Sequence, residues 1–210
     1  MGSRIMHLII ADKVANAIPL RNRSEFVLGG VAPDAKQPKE SSHFYIKDEE
    51  GITRHIGYEP FMNKYRHFID AGNEYILGYL CHLIADDLWL KNFYLPWIMD
   101  QINRNPNFYE KYHQDFRNLN GKLLEWYGNA HIKDHLAGSL RGTDIEELAF
   151  SDVLPFIPDL LKDFVYTDAN VNSVLNVFTM EQIIEYMGRS VELSVTVLER
   201  LMEGKLSSPM

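Results

Sequence analysis

The chain predicts an all-α fold in a single domain. Apolar residues recur at helical spacing almost throughout, and period-2 runs rich in Val, Ile and Thr are scarce. With 210 residues, 46% of them hydrophobic and 12% aromatic, the span 1–210 suits one domain with a full core.

A helix from about Arg4 should stop near Ile18, because the residue before Pro19 avoids helical backbone. Ser24–Leu28 adds a short turn that Gly29-Gly30 ends. From Val31 to Tyr58 the chain reads as a loop, with Pro33, Pro38, Ser41-Ser42 and a charged stretch at 47–51. A loop that long in a compact domain needs a reason, and metal ligation by residues on it would supply one. Pro60 suits a helix first turn, and Phe61, Tyr65 and Phe68 extend an apolar stripe towards Gly72. Asn73 can cap the next helix, which is apolar all round its axis, hence central, and is expected to bend at Pro96. Asn105-Pro106 opens a helix through Trp126. Thr143-Asp144-Ile145-Glu146 and Thr179-Met180-Glu181-Gln182 both have capping-box spacing. The first predicts a short helix, the second a closing helix to about Glu203 with a broad apolar face from Ile183 to Leu201.

Charge and composition exclude several functions. A net charge of −8 repels polyanions, so no specific nucleic-acid partner is expected. His82, Asp86 and Asp87 interrupt the apolar stretch 76–90, which falls short of the roughly 20 residues that span a bilayer, so no integral membrane association is expected. One cysteine cannot form an internal disulfide, and no secretion signal is recognisable, which makes the expected location cytoplasmic.

The chemistry concentrates on His82 and Asp86. Four residues apart on one helix face, an imidazole nitrogen and a carboxylate oxygen can converge on a cation; the alternative is a buried hydrogen-bonded pair. Asp87 points about 100° away from Asp86. His7 lies among Ile5, Met6, Leu8, Ile9 and Ile10 and is buried whichever face its helix presents, as a ligand or as a structural histidine. Asp34 follows Pro33 and the Gly29-Gly30 turn, a rigid mount for a carboxylate that bridges metals or takes a proton from their water; an Asx-turn cap is the alternative. His43 sits in the same loop. Lys36, near Asp34, and His67, partly on the apolar stripe, are candidates for holding substrate. His131 and His135 share a face, but their polar neighbours Lys133 and Asp134 mark it as solvated. Cys81 reads as buried and inert. The chain lacks His-Glu-x-x-His, Gly-x-Ser-x-Gly, Walker, paired-cysteine and His-Asp doublet motifs.

The ordered set His7, Gly29-Gly30-Val31-Ala32-Pro33-Asp34, Ser42-His43-Phe44 and Gly78 to Asp86 resembles the zinc-dependent phospholipase C family, especially its small intracellular bacterial branch. The similarity covers about the first half of the chain. It implies a multi-helix bundle of the phospholipase C type with a metal cleft among its helices. It also makes Asp34, His43, His82 and Asp86 ligands of one zinc, and gives His7 to a neighbouring ion that Asp86 could bridge. Secreted members of that family place another ligand histidine ten positions beyond the one matched by His82, where this chain has Asn92, so one or two ions are expected rather than three.

The expected function is therefore metal-dependent hydrolysis of a small phosphorylated substrate, foremost a phosphodiester, by a metal-bound hydroxide, with Asp34 as bridging carboxylate or general base. Zinc is the expected metal, with manganese or another divalent ion compatible. Two alternatives stay open: a degenerate relative that binds metal or phosphate without turnover, and a structural helical protein or homo-oligomerisation module.

Overall fold

A computed structural model describes residues 2–47, 54–128 and 130–206, and the architecture is mostly helical. Ser3 accepts a hydrogen bond from the Met6 amide and starts α1 (Arg4–Ala17), which ends ahead of Pro19 with Ile18 extended. Asn22 caps α2 (Arg23–Gly29). The stretch expected as loop contains a 3₁₀ turn at Ala32–Ala35 and two short antiparallel strands, β1 (Tyr45–Lys47) and β2 (Arg54–Ile56). Three residue pairs are too short for the alternation that identifies strands in sequence, and the charged stretch beyond Lys47 lies outside the described residues.

The apolar stripe from Phe61 to Phe68 is carried by two helices, α3 (Tyr58–Lys64) and α4 (Arg66–Asp70), which meet at Tyr65. Asn73 accepts from the Ile76 amide and caps α5 (Glu74–Trp89), in which every residue from Tyr75 to Asp87 is buried. Where a bend at Pro96 was expected, α5 passes into a π-helical segment at Leu90–Ile98 that contains Pro96, then into α6 (Met99–Arg104). Pro96 has no amide hydrogen, so it cannot donate to the regular ladder there.

Pro106 opens α7 (Pro106–Tyr127), closed by Gly128 in left-handed backbone at φ 70°. Short helices follow: α8 (Ala130–Asp134), α9 (Phe150–Val153), α10 (Phe156–Leu160) and α11 (Asp168–Asn172). Thr143 does not start a helix as its spacing predicted. Its hydroxyl instead accepts from Asn73, and the neighbouring Asp144 accepts from the Phe150 amide where α9 begins. The second box holds: Thr179 and Gln182 exchange hydrogen bonds at the start of α12 (Met180–Leu206). Among the described residues no helix is long and apolar enough to cross a membrane.

Packing centres on α5, against which α2, α12 and α1 lie. The contact with α2 is backbone to backbone. A Cβ on Gly29 would stand 2.0 Å from the Tyr75 carbonyl oxygen, and one on Gly78 would stand 1.9 Å from that of Phe26. Only glycine permits that separation. Farther along α5, Trp89 donates to the Tyr112 hydroxyl at 3.1 Å and stacks on Phe93, joining α5 to α7.

Two buried carboxylates fasten the outer helices. Asp12, 2% exposed, accepts from the Tyr127 hydroxyl at 2.8 Å. His131 and His135, expected on a solvated face, bring Nε2 to within 3.1 and 3.4 Å of the same carboxylate. The charge they answer lies on a helix more than a hundred residues earlier, so local polarity gave no warning of it. Asp115, fully buried, accepts from the backbone amides of Asn176, Val177 and Phe178, fixing the approach to α12. Asp115→Ala would strand those amides and is expected to cost about 3 kcal/mol or more; urea unfolding followed by circular dichroism measures it, and a loss below about 1 kcal/mol contradicts this role.

Candidate metal centre

Four elements deliver five side chains to one place. His7 comes from α1, Asp34 from the 3₁₀ turn, His43 from the turn before β1, and His82 and Asp86 from adjacent turns of α5. All five are buried, Asp34 being the most exposed at 8%. His43 Nε2 stands 3.3 Å from His82 Nε2, 3.5 Å from Asp34 Oδ1 and 3.5 Å from Asp86 Oδ2. His82 Nε2 is 3.6 Å from Asp86 Oδ2, and His7 Nε2 is 3.2 Å from Asp86 Oδ1. The His7 and His82 rings stack at 3.9 Å.

The outer partners decide where the imidazole hydrogens are. His82 Nδ1 lies 3.0 Å from the Gly30 carbonyl oxygen, which can only accept, so Nδ1 carries the hydrogen and Nε2 a lone pair. Ser42 Oγ lies 2.9 Å from the Pro33 carbonyl and 3.0 Å from His43 Nδ1. The hydroxyl has one hydrogen, spent on the carbonyl, so it accepts from His43 Nδ1 and leaves His43 Nε2 a lone pair as well. Two nitrogen lone pairs thus face the Asp34 and Asp86 carboxylates, while Lys39 donates to Asp34 and His7 Nε2 stands against Asp86. The two inward lone pairs are groups that a further cation could occupy.

The spacing also fits one. Ligands held tetrahedrally about 2.0–2.1 Å from zinc stand about 3.3–3.4 Å apart. The separations around His43 and His82 run from 3.3 to 3.6 Å, while Asp34 and Asp86 fall in different groups of mutually close ligand atoms. Two ligand groups satisfy the requirement of mutual closeness, His7 with His82 and Asp86, and Asp34 with His43 and His82. These buried groups could hold a metal ion, and His82 belongs to both.

Burial holds His43 and His82 neutral, as ligation requires. It pushes His82 down to about 3, with His7 adding to the effect, and it lowers His43 too. For the carboxylates burial works upward but is outweighed. Lys39 holds Asp34 well below the usual range, and His7, with Nε2 3.2 Å from Oδ1, does so for Asp86.

The lysine beside Asp34 is Lys39, not Lys36: Lys39 Nζ donates to Asp34 Oδ1, whereas Lys36 lines a separate surface hollow with Pro60 and Glu147. The turn that carries His43 amide to the Lys39 carbonyl folds Lys39 back, which spacing along the chain does not reveal. His67 lies on the exposed side of α4 with its ring against Phe68. Asp87 turns away from the cluster to Lys91. Cys81 is buried, donates to Ser194 and is pushed up to about 12, in keeping with an inert thiol. Sequence reading passed over Ser42 as a hydrogen-bond partner and Tyr45, whose ring is parallel to that of His43.

Comparison of the chain with protein-family models, with curated proteins and with solved structures found no match.

The depressed imidazole sets the direction of the acid response. Unfolded His82 takes up a proton below its ordinary 6.5, while the native one resists until about 3. The unfolded state therefore binds more protons in that window, and stability falls as pH drops through it. Denaturant titrations at successive pH values in the presence of chelator should show this slope, and a flat profile between those limits would contradict the protonation states assigned above.

Proposed function

We propose that the protein is a metal-dependent phosphoester hydrolase, with phosphodiesters as its foremost substrates and zinc as its metal. The observation that carries this reading is the inward convergence of two imidazole lone pairs and two carboxylates at ligand spacing. The resemblance of His7, Asp34, His43, His82 and Asp86 to the zinc-dependent phospholipase C pattern supports it. So does the placement of all five in a bundle of helices.

His82 and His43 would hold one ion through Nε2 together with Asp34; the resemblance adds Asp86 to that set, and His7 would serve a second ion next to Asp86. When bound, zinc polarises a phosphoryl oxygen and brings the pKa of its water towards about 7. The chain's own groups do the positioning. Gly30 and Ser42 fix the ring orientations, and Tyr79, donating to the Ser42 carbonyl, steadies the turn that carries His43. Lys39 is placed to attract a phosphate oxygen beside Asp34.

One observation favours a second reading, metal binding without turnover. Lys39 holds the Asp34 carboxylate ionised and weakly basic, which suits a ligand better than a proton acceptor.

Protein purified without a tag and reconstituted with zinc is expected to retain at least about one equivalent after desalting. It should hydrolyse bis(p-nitrophenyl) phosphate in a chelator-sensitive manner. Asp86→Asn keeps the size of the side chain but loses its charge, and should forfeit both metal and activity while the helical spectrum persists. Less than about a tenth of an equivalent of zinc in the unaltered protein sinks the metal reading. Full occupancy with no activity on any phosphoester selects binding without turnover.

A further inference from the structure

Beside the metal centre the surface opens into a cavity of about 430 Å³, a volume suited to a small molecule. Three of its lining residues join it to the centre. Lys39 is paired with Asp34, the Tyr45 ring lies parallel to that of His43 with centroids 6.0 Å apart, and a Cβ on Gly2 would stand 3.5 Å from His7 Nε2. A molecule in the cavity thus has one end at the proposed ion and the other free to meet the far wall.

That wall is aromatic. The π-helical segment supplies Tyr94, and α7 supplies Tyr109 and Tyr112. Aromatic side chains on several sides favour a planar ring over a flexible chain. The charges select the sign of the ligand. Arg54 sits 4.2 Å over the Tyr45 ring, so that face already holds a cation, and its guanidinium and Lys39 both offer donors to an anion. Among the described residues Glu40 is the one carboxylate on the lining. A cationic headgroup would meet Arg54 and Lys39 where an anion finds partners.

We propose that this cavity is a ring-binding subsite and that the substrate is an anionic phosphoester of a planar aromatic group, either a nucleobase-bearing or a simple aryl compound. The phosphate end of this assignment rests on the hydrolase reading above; the ring end rests on the cavity alone. The ring is held among Tyr94, Tyr109 and Tyr112, while Arg54 and Lys39 face the anionic end.

Calorimetric titration of the zinc-treated full chain with two matched pairs tests this. Phenylphosphonate against propylphosphonate varies the ring behind one non-hydrolysable anion, and adenosine against ribose varies it with no phosphate present. In at least one pair the aromatic member should bind about tenfold tighter or better. Tyr109→Ala should remove most of that preference and leave propylphosphonate unaffected; Tyr109 is 56% exposed, so the fold does not depend on it. Arg54→Gln should weaken both phosphonates alike. Preference for adenosine alone identifies a nucleobase, and preference for phenylphosphonate alone an aryl group. If neither aromatic member binds more tightly, the subsite proposal is overturned even when both phosphonates bind and the metal reading stands. Ring preference without any phosphonate binding leaves the subsite in place and counts against the hydrolase reading instead.

Discussion

The approach of α2 to α5 at Gly29 and Gly78 is the constraint on which the rest of the structure depends. A methyl group at either position would overlap a carbonyl oxygen of the opposite helix, at separations near 2 Å. The small residues let the two backbones touch. The Gly30 carbonyl then reaches His82 Nδ1, and the 3₁₀ turn that follows sets Asp34 across from His43. The chain spends two side-chain volumes of apolar burial to gain an acceptor at one chosen atom, and the surrounding core makes up the difference: Phe26, Leu28, Tyr75 and Tyr79 are fully or almost fully buried around that seam.

Orientation of the histidines follows from that seam and from Ser42. Each ring has one nitrogen tied to a group whose hydrogen-bonding role is fixed, and the other nitrogen is thereby committed before any ligand arrives. A single serine hydroxyl, by spending its hydrogen on a carbonyl, determines the chemistry of an imidazole it touches on the opposite side. Such commitment reduces the reorganisation that ligand capture would otherwise require. Asp12 and Asp115 apply the same economy elsewhere, each gathering several donors from distant elements onto one buried carboxylate.

Much of this was legible in the sequence, for identifiable reasons. Helical periodicity located α1, α5, α7 and α12, because long elements sum many weak preferences. The i,i+4 spacing placed His82 and Asp86 on one face of an apolar helix, and the unbroken apolar run around His7 foretold its burial. What escaped was set by tertiary contact. Thr143 had the spacing of a cap, yet its hydroxyl was taken by Asn73. The π-helical register at Leu90–Ile98 follows no simple local rule, and although His131 is exposed as its polar neighbours predict, its approach and that of His135 to Asp12 escaped because that carboxylate is distant in sequence. Lys36 and Lys39 are indistinguishable by composition; only the fold of the turn between Asp34 and His43 chooses between them.

The pairing of Lys39 with Asp34 carries an electrical consequence. With His43 and His82 neutral, Asp34, Asp86 and the Lys39 ammonium together carry a single negative charge, within a protein that is itself strongly acidic. A divalent cation would reverse that local sign. Capture of an anion would then be gated by metal loading, with the bare centre repelling phosphate and the loaded one drawing it in against the field of the rest of the molecule, a contrast that grows as ionic strength falls.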